Sequence, residues 1–327
     1  MMSLRNARVR FEDRLAIPET PNRCWLTSLT TAIGPVAREE IRRVLHGPSA
    51  FAGCLISYLL EGLGRLLHID RAIYPDHALL STSLYAPSRL ANLLDTDLAK
   101  AYPDHAVLIR SVNAFSHLDM VAKSFKRWPF RVVWIVGDLE TEWRNRRDAR
   151  RDRGLLAQSG LRHAAYSGEM PEAVLRQCLR LYRSLYIEAY SPYNPDYEPE
   201  YIRLLVARHD IEIHTLSDGD AIVAFCALHG TADMLSVPMV GYDRTRPTNE
   251  GLYRAIMTVA FESAHERGVA LNLSAGASRF KAHRGARPYV EYMIVFDAHL
   301  PWWRRAGYSL LAFVLGRAEP YLLRSAV

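Results

Sequence analysis

Residues 248–285 read TNEGLYRAIMTVAFESAHERGVALNLSAGASRFKAHRG, and the rest of the chain is organised around this stretch. Apolar side chains between Leu252 and Ala264 recur at the three- and four-residue spacing of one helix face. Thr248 is a favourable N-cap and Gly268 a favourable helix stop, so the pattern predicts a helix between them. A short strand, Val269 to Leu273, is expected directly after it.

A loop of small residues and a group of cations follow that strand. The small residues are Ser274, Ala275 and Gly276. They would let a ligand approach the backbone closely. Lys281 and Arg284, in a basic turn that begins at Phe280, can hold a phosphate, a carboxylate or a developing oxyanion. A structural loop followed by a solvated basic turn explains the same residues without a ligand.

Length and composition indicate a globular protein of two units or of one large two-lobed unit. The chain has 327 residues, 49% of them hydrophobic and 23% charged, which excludes a disordered or fibrous class. Its formal charge of +6 comes mostly from arginine and suits a phosphorylated or polyanionic partner. Six arginines lie in residues 144–153, and this run fits either a solvated helix face or an RNA-binding surface.

The sequence shows neither a cysteine pattern typical of metal or disulfide sites nor a secretory signal. The four cysteines are widely spaced and show no CxxC pair, so neither a zinc site nor a disulfide framework is expected. The first twenty residues lack the apolar core of a secretory signal, and we expect a cytoplasmic protein without metal. Trp302-Trp303-Arg304-Arg305 opens an apolar segment that fits a packing helix or a peripheral membrane contact.

The N-terminal part of the chain predicts a helix followed by a β-α-β-α-β order. Helical spacing of leucines over 48–67 indicates a core helix. The later elements are predicted as strand Ala78 to Leu84, helix Ser88 to Ala101, strand Ala106 to Arg110, helix His117 to Trp128 and strand Arg131 to Val136. The last strand is apolar almost throughout and is expected in the middle of its sheet.

The C-terminal part of the chain has a different order. A helix is predicted over Pro171 to Tyr190, and a proline-rich loop over 190–201 follows it. This loop contains Tyr190, Tyr193 and Tyr197, which could form the lip of a substrate site or could pin the loop to the core. Alternation over 211–218 and 221–229 around Gly219 predicts a hairpin, and a third strand is expected near 233–240.

This order of elements resembles a GNAT-type acyltransferase lobe. Gly241-Tyr242-Asp243, the helix after Thr248, and residues 272–281 are similar to the FemAB-like branch of that superfamily. The resemblance covers about residues 140–315. It implies an α/β (α+β) fold of tandem GNAT-like lobes, each a mixed, mostly antiparallel twisted sheet flanked by helices. Residues 1–155 would be a degenerate lobe with a helical N-terminal extension, and residues 156–327 an acyltransferase lobe with a C-terminal helix.

The resemblance also implies where the donor and the transfer site lie. Family members place an adjacent Phe-Lys pair at the transfer site, and here that pair is Phe280 and Lys281. GNAT enzymes that use CoA hold its pyrophosphate on a Gly-x-Gly loop at a helix N-terminus. The corresponding segment, Arg244 to Gly251, keeps arginines at 244 and 246 but lacks those glycines. The donor therefore stays open between acyl-CoA or another acyl thioester and an aminoacyl-tRNA.

Acyl transfer to an amine needs oxyanion stabilisation and proton transfer. We assign the electrostatic role to Lys281, with Tyr242, Asp243 and Glu291 as candidates for proton transfer or acceptor binding. The acceptor would be a small-molecule or peptide amine, with tRNA or a carrier protein as a further partner. Two alternatives remain: a non-catalytic GNAT-shaped protein that binds an anionic ligand or RNA, and a membrane-face transferase acting on a lipid-linked precursor.

Overall fold

The computed structural model describes residues 3–12, 14–86, 90, 93, 97–123 and 126–326. Within these residues, eleven strands form one sheet in the order β1-β2-β3-β4-β11-β5-β10-β9-β8-β7-β6. The strands are β1 (Ala7–Glu12), β2 (Leu15–Asn22), β3 (Ala72–Pro75), β4 (Ala106–Asn113), β5 (Lys126–Val136), β6 (Arg162–Tyr166), β7 (Glu212–Asp218), β8 (Ala221–Gly230), β9 (Met234–Tyr242), β10 (Ala270–Asn272) and β11 (Arg287–Phe296).

Helices cover the sheet. The α-helices are α1 (Leu29–Thr31), α2 (Ala37–Val44), α3 (Gly47–Leu66), α4 (Leu98–Ala101), α5 (Leu118–Lys123), α6 (Arg147–Gln158), α7 (Glu172–Arg183), α8 (Pro199–Ala207), α9 (Leu252–Glu266), α10 (Ser278–His283), α11 (Trp302–Gly316) and α12 (Glu319–Ala326). Wider π-helical turns occupy Ala32–Val36, Glu140–Arg144 and Ser184–Tyr190, and a 3₁₀ turn occupies Thr248–Glu250.

The sheet is mostly antiparallel, as the sequence predicted. Parallel pairing occurs between β3 and β4 and between β9 and β10. Strand β11, from the predicted C-terminal lobe, lies between β4 and β5 of the predicted N-terminal lobe. The expected boundary near residue 155 falls inside α6, and the sheet crosses both predicted lobes without interruption. The α/β fold class with flanking helices is confirmed, whereas the two-lobe boundary stays a prediction.

The central helix α9 explains why the C-terminal strands fold as they do. Its apolar face is buried against β8, β9 and β10, and on its other side Phe261 stacks on Trp143 with ring centroids 5.1 Å apart. Each such buried aromatic contributes about 1.5–3 kcal/mol of transfer free energy. The helix is therefore fixed from two sides, and its N-terminal end is held close to the end of β9.

Several predicted elements have the expected places. The hairpin β7–β8, the strand β9 and the helix α9 are confirmed. Strand β5 lies between β11 and β10, so its predicted central position is confirmed. The predicted helix over 171–190 is confirmed as α7 followed by a π-helical turn.

Other expectations were wrong. Residues 78–84 form no strand, and the strand in this region is β3, which ends at Pro75, three residues before that range begins. The helix expected from His117 to Trp128 ends at Lys123, because Trp128 is buried inside the longer strand β5. Most of the helix expected over 88–101, with its N-cap at Ser88, lies outside the described residues; its last turn is α4.

Corrections also apply to helix ends and to the N-terminus. Thr248 begins a 3₁₀ turn, and the N-cap of α9 is Gly251 with φ +66°. Phe280 and Lys281 lie in the short helix α10 and do not begin a turn. The first residues form the antiparallel hairpin β1–β2, which has no counterpart among the predicted elements. Helix α3, expected in the core, keeps one face exposed to solvent.

A glycine at the end of α10 supplies a test of this packing. A Cβ atom on Gly285 would lie 2.1 Å from the carbonyl oxygen of Glu142, and its φ of +91° favours glycine. We expect Gly285→Ala to lower the free energy of unfolding by about 3 kcal/mol, since both the clash and the backbone strain must be relieved. Denaturant unfolding measures the loss.

The matched control is Gly219→Ala in the β7–β8 turn. Gly219 also has positive φ, +57°, but nothing lies within 4 Å of an added Cβ. This variant should lose about 1 kcal/mol from backbone strain alone. Equal losses in the two variants would show that α10 does not pack tightly against the segment at Glu142.

Candidate functional site

Strands β9 and β10 separate where the site is built. They pair in parallel from Met234 and Ala270 as far as Ser236 and Asn272. Beyond this point β9 continues to Tyr242, whereas β10 ends and the chain turns towards β5. Leu273 and Ser274 exchange backbone hydrogen bonds with Trp134 of β5. An opening therefore forms between the two parallel strands, and the small-residue loop lies at its edge.

The loop has a backbone that few residues adopt. Ser274, Gly276 and Ala277 all have positive φ, of +59°, +76° and +49°. Left-handed backbone at non-glycine residues is uncommon and clusters at binding and catalytic sites. The buried Asn272 stabilises the bend, because its Oδ1 accepts the Ser274 N–H at 2.9 Å. The predicted small-residue loop is present, and its backbone carbonyls turn towards Lys281.

Lys281 is buried beneath this loop. Its Nζ donates hydrogen bonds to the carbonyl oxygens of Ser274 at 3.0 Å and Ala275 at 2.7 Å. Burial lowers the pKa of the Lys281 side chain well below its ordinary value, and the Arg131 cation lowers it further. The amine is thus held within the opening in a state that loses its proton easily.

Arg131 and Glu291 form an ion pair inside the sheet. The two residues are cross-strand partners on β5 and β11. Arg131 Nε lies 2.8 Å from Glu291 Oε1, and its Nη2 lies 3.2 Å from Oε2, which is a bidentate arrangement. Glu291 is almost fully buried. This carboxylate, predicted as a site residue, is therefore held by a cation.

The Arg131 guanidinium extends the polar contacts towards the loop. Its Nη2 also donates to Ser81 O at 2.5 Å and to Thr82 Oγ1 at 3.0 Å. Thr82 Oγ1 in turn donates to Ser274 Oγ at 3.3 Å. We call the set Glu291, Arg131, Thr82, Ser274 and Lys281 the polar chain. It connects the N-terminal part of the protein to the loop at the opening.

Aromatic rings lie beside the polar chain. Tyr253 is 5.9 Å from Tyr242 and 4.9 Å from Phe280, measured between ring centroids, and Tyr186 stacks on Tyr190 at 6.2 Å. Burial raises the pKa of the Tyr186 hydroxyl, and the neighbouring Tyr190 and Tyr242 raise it further. We call these five rings the aromatic cluster. The four tyrosines of this cluster carry hydroxyls that can donate hydrogen bonds.

Asp152 joins three helices behind the opening. Its Oδ1 accepts a hydrogen bond from Arg254 Nε of α9 at 2.7 Å, and its Oδ2 accepts one from Arg284 Nε at 2.5 Å. The Arg284 guanidinium also lies 3.6 Å from the centroid of the Phe280 ring. Arg284, predicted to bind the donor, is thus buried and paired within the protein. Its observed contacts hold α10 in place.

An open cavity of about 530 Å³ lies at the N-terminal end of α9. Arg151, Asn249 and Arg254 are among its lining residues, and the N-cap Gly251 adjoins it. The N-terminus of a helix favours anions because its first N–H groups have no partners within the helix. This cavity can receive a phosphate even though the chain lacks a Gly-x-Gly loop.

Three predicted residues hold the turn after β9. Asp243 accepts hydrogen bonds from the Thr245 hydroxyl and backbone, which lower the pKa of its carboxyl. Arg246 pairs with Asp218 at 2.9 Å, and Arg244 donates to Ser184 O at 3.1 Å. No contact between these side chains and the polar chain is found within the described residues. Their roles in transfer stay predictions.

The predicted tyrosine lip divides into two parts. Tyr190 is exposed and belongs to the aromatic cluster. Tyr193 lies beneath the guanidinium of Arg23 at 5.8 Å. Tyr197 is buried, and its hydroxyl donates to Leu79 O at 2.7 Å. The loop therefore reaches the site through Tyr190 and is pinned to the core through Tyr197.

Sequence reasoning missed the residues that connect the site to the N-terminal half. Arg131, Thr82 and Tyr253 were not proposed. A second buried cation, Arg110, lies 5.2 Å from the ring centroid of Trp25, and two of its nitrogens have no hydrogen-bond partner within the described residues. The sequence signal that could have identified Arg131 is its place at the start of an otherwise apolar strand. A buried cation at such a position needs a specific partner.

The Arg131–Glu291 pair can be tested by substitution. Arg131→Met leaves the buried Glu291 without its cation, and removing one partner of a buried pair costs about 3–5 kcal/mol. We expect a loss of that size in the free energy of unfolding, measured with urea. Arg246→Met, which removes an ion pair at the protein surface, should cost about 0–1 kcal/mol. Similar losses in both variants would contradict a buried pair at the centre of the site.

Comparison with known proteins supports the sequence resemblance. Residues 144–282 match the family model of an acetyltransferase (GNAT) domain. Among curated proteins, none matches the sequence significantly. The C-terminal domain (DUF2156) of a protein assigned as a lysylphosphatidylglycerol synthetase from Agrobacterium fabrum has a similar fold, with a TM-score of 0.51 and 12% identity. The similarity covers 96% of this chain and 89% of that one.

Two other solved structures are similar to this chain at lower TM-scores. FemX gives a TM-score of 0.49 at 11% identity, over 74% of this chain and 83% of that one. The structure of L-PGS from Bacillus licheniformis gives 0.47 at 14% identity, over 70% and 77%. The matched segment 144–282 contains the opening, the loop and Lys281. The resemblance to a GNAT-type lobe is thus confirmed for residues 144–282, the segment that matches the family model.

Proposed function

We propose that the chain is an N-acyltransferase that moves an acyl or aminoacyl group from an activated donor to an amine acceptor, forming an amide. The observation that carries this proposal is Lys281 Nζ, held by the Ser274 and Ala275 carbonyls beside the opening between β9 and β10. The match of residues 144–282 to a GNAT domain supports the reaction class.

The reaction forms one bond and breaks another. The acceptor nitrogen attacks the donor carbonyl carbon, and a C–N bond forms while negative charge develops on the carbonyl oxygen. Collapse of this intermediate breaks the C–S bond of a thioester or the C–O bond of an aminoacyl ester. The acceptor amine loses a proton, and the leaving sulfur or oxygen gains one. The protein must therefore stabilise an oxyanion and allow proton movement.

Lys281 is suited to the first of these tasks. Its ammonium form is disfavoured in the empty site, because it is buried and close to Arg131. An anionic donor or a developing oxyanion would favour that form, so substrate binding would draw a proton onto the amine. In a site that excludes water, a cation formed at this point stabilises the transition state more strongly than the ground state.

The other residues of the polar chain hold Lys281 and the loop in place. Glu291 neutralises Arg131, which in turn fixes Thr82 and, through it, Ser274. Glu291 is therefore assigned as a positioning residue in this proposal. Tyr242, Tyr253 and Tyr190 offer hydroxyls beside the opening for orienting the acceptor or protonating the leaving group. Asp243 remains a candidate for binding the acceptor amine.

The donor would extend from the loop towards the cavity at Gly251. Arg151 and Arg254 would hold its phosphate groups, since both line that cavity. This arrangement suits the pyrophosphate of an acyl thioester and also the terminal phosphate backbone of an aminoacyl-tRNA. Within the described residues no group of histidine, cysteine and acidic side chains suited to a metal ion is found.

The proposal is tested by supplying both donor classes. Purified protein is incubated with a panel of acyl-CoA thioesters and amines, and thiol release is followed; in parallel, loss of labelled amino acid from aminoacyl-tRNA is measured. Amine-dependent turnover of one donor is the expected result. Binding of a donor or of RNA without turnover of either class would instead support the alternative of a non-catalytic GNAT-shaped protein.

Substitution of Lys281 should separate catalysis from folding. Lys281→Met removes the cation that stabilises the oxyanion, and we expect kcat to fall about 100-fold or more, as for loss of other oxyanion-stabilising groups. Thermal unfolding shows whether the variant is folded. Lys100→Met removes a highly exposed lysine and should leave kcat unchanged. Activity of Lys281→Met within threefold of the wild type would remove Lys281 from the mechanism.

The pH dependence of the rate follows from the lowered pKa of Lys281. The side chain is protonated below its pKa, so the reactive cationic form is lost as pH rises through a value below the ordinary 10.5. The rate should therefore decline on the alkaline side well before pH 10.5. Lys281→Arg, which stays charged, should abolish that decline.

A pH–rate profile of kcat/KM, which reports the groups of the free enzyme, makes this comparison for both proteins. If Lys281→Arg does not fold, the wild-type profile decides alone. A wild-type rate that stays flat or rises up to pH 10.5 would contradict a cationic role for Lys281.

A further inference from the structure

Helix α3 has its polar side chains inside and its apolar side chains outside. Ser57 and Glu61 are buried: the Ser57 hydroxyl donates to Ile33 O at 2.7 Å, and Glu61 accepts a hydrogen bond from Arg38 at 2.6 Å. On the opposite face Leu59 and Leu66 are 66% and 71% exposed. An amphipathic helix of a globular protein normally shows the reverse arrangement.

The exposed face of α3 is apolar along most of its length. Its large apolar members, spaced as one helix face, are Phe51, Leu55, Ile56, Leu59 and Leu66. The 20 residues of this helix span about 30 Å. Scattered exposed leucines are normal, but a continuous exposed apolar face marks an interaction surface.

Helix α11 carries a second exposed apolar face. Trp302 and Phe313 are 78% and 57% exposed, and Leu310 lies between them at helical spacing. The buried face of the same helix contains Arg304, Tyr308 and Leu311. The helix therefore packs against the protein on one side and leaves tryptophan, leucine and phenylalanine uncovered on the other.

The chain directly after α3 contacts α11. A Cβ atom on Gly307 would lie 2.3 Å from Leu67 Cδ1, so the chain at the end of α3 packs closely on α11. Arg304 donates hydrogen bonds to the carbonyl oxygens of Leu67 at 3.0 Å and His68 at 3.0 Å. We call the exposed apolar faces of α3 and α11, joined by these contacts, the helix surface.

The charges around the helix surface are mostly positive. Helix α11 contains arginines and no acidic residue, and the acidic residue of α3, Glu61, is turned inward. The Arg317 guanidinium lies 4.0 Å from the centroid of the exposed Phe313 ring. A cation beside an apolar group at a helix end can reach lipid headgroups while the apolar side chains enter the acyl region.

We infer that the helix surface binds in the plane of an anionic lipid membrane. Apolar side chains from both helices would enter the boundary of the acyl chains, and Arg65, Arg305 and Arg317 would contact anionic headgroups. Within the described part of the chain, no helix is long and apolar enough to cross a bilayer. The contact is thus peripheral, and it does not depend on the proposed transfer chemistry.

Charge favours lipid over a second copy of the chain. A two-fold symmetric contact brings the same patch of each subunit together. The exposed Arg305 side chains of the two copies would then approach one another with no acidic residue of that helix to balance them. An anionic membrane satisfies the same cations. Tryptophan at the start of α11 also suits the interfacial region of a bilayer.

The surface adjoins the candidate transfer site. Arg43, at the end of α2, donates a hydrogen bond to Tyr190 O, and its guanidinium lies 5.3 Å from the centroid of the Tyr190 ring. Helix α2 packs on α3, and Gly53 of α3 approaches Ile41 of α2. A membrane bound at the helix surface would therefore lie on the side of the protein where Tyr190 is exposed.

Vesicle co-sedimentation tests the inference with the full chain. The protein is mixed with vesicles of phosphatidylcholine alone or of phosphatidylcholine with phosphatidylglycerol, and the bound fraction is measured at low and high salt. We expect binding to the anionic vesicles that weakens as salt increases. The double variants Leu55→Glu/Leu59→Glu and Trp302→Glu/Phe313→Glu should each lower affinity at least tenfold.

The matched control is Leu118→Glu on α5, where the leucine is 62% exposed but lies outside the helix surface. It should bind vesicles like the wild type. Circular dichroism shows that each variant is folded, which is expected because the substituted side chains are exposed. Absence of binding, or an equal loss in the control, would overturn the inference. So would a dimer, seen by light scattering, that the α3 or α11 variants dissociate.

Discussion

The ion pair between Arg131 and Glu291 is the constraint on which the site depends. It lies within the sheet, where a carboxylate is tolerated only if a cation and hydrogen bonds compensate for lost hydration. Because Arg131 also binds Ser81 O and Thr82, the pair fixes a segment of irregular structure against β5. That segment then contacts Ser274 at the opening between β9 and β10. One buried charge pair therefore aligns β5, β11 and the small-residue loop.

The continuous sheet explains how both halves of the chain contribute to one site. Strand β11 completes the sheet between β4 and β5, so Glu291 comes from the C-terminal end while Arg131 comes from the N-terminal half. On the other side of the opening, Asp152 joins α6, α9 and α10 through two arginines. Lys281 thus lies between two sets of charges: the Arg131–Glu291 pair in the sheet, and the pairs that Asp152 forms between the helices.

The sequence allowed the GNAT-type half of the fold and the position of the loop to be predicted, because those elements have strong local patterns. The helix up to Gly268 and the hairpin around Gly219 are examples. Helix α3 was placed correctly but misassigned to the core, since leucine spacing does not reveal that Ser57 and Glu61 face inward. Arg131 and Thr82 escaped prediction because their partners are distant in the chain and depend on strand register. Arg284 looked like a ligand-binding cation because its partner, Asp152, is 132 residues away.

The central claim is that a cationic Lys281 stabilises amide formation at the opening between β9 and β10. Its most direct test is mass spectrometric detection of the acylated acceptor under single-turnover conditions, with enzyme in excess over the donor that supports turnover. The wild type should form an amide product. Folded Lys281→Met should form it with a first-order rate constant at least 100-fold lower. Amide formation at the same rate by both proteins would contradict the cationic role of Lys281 in amide formation.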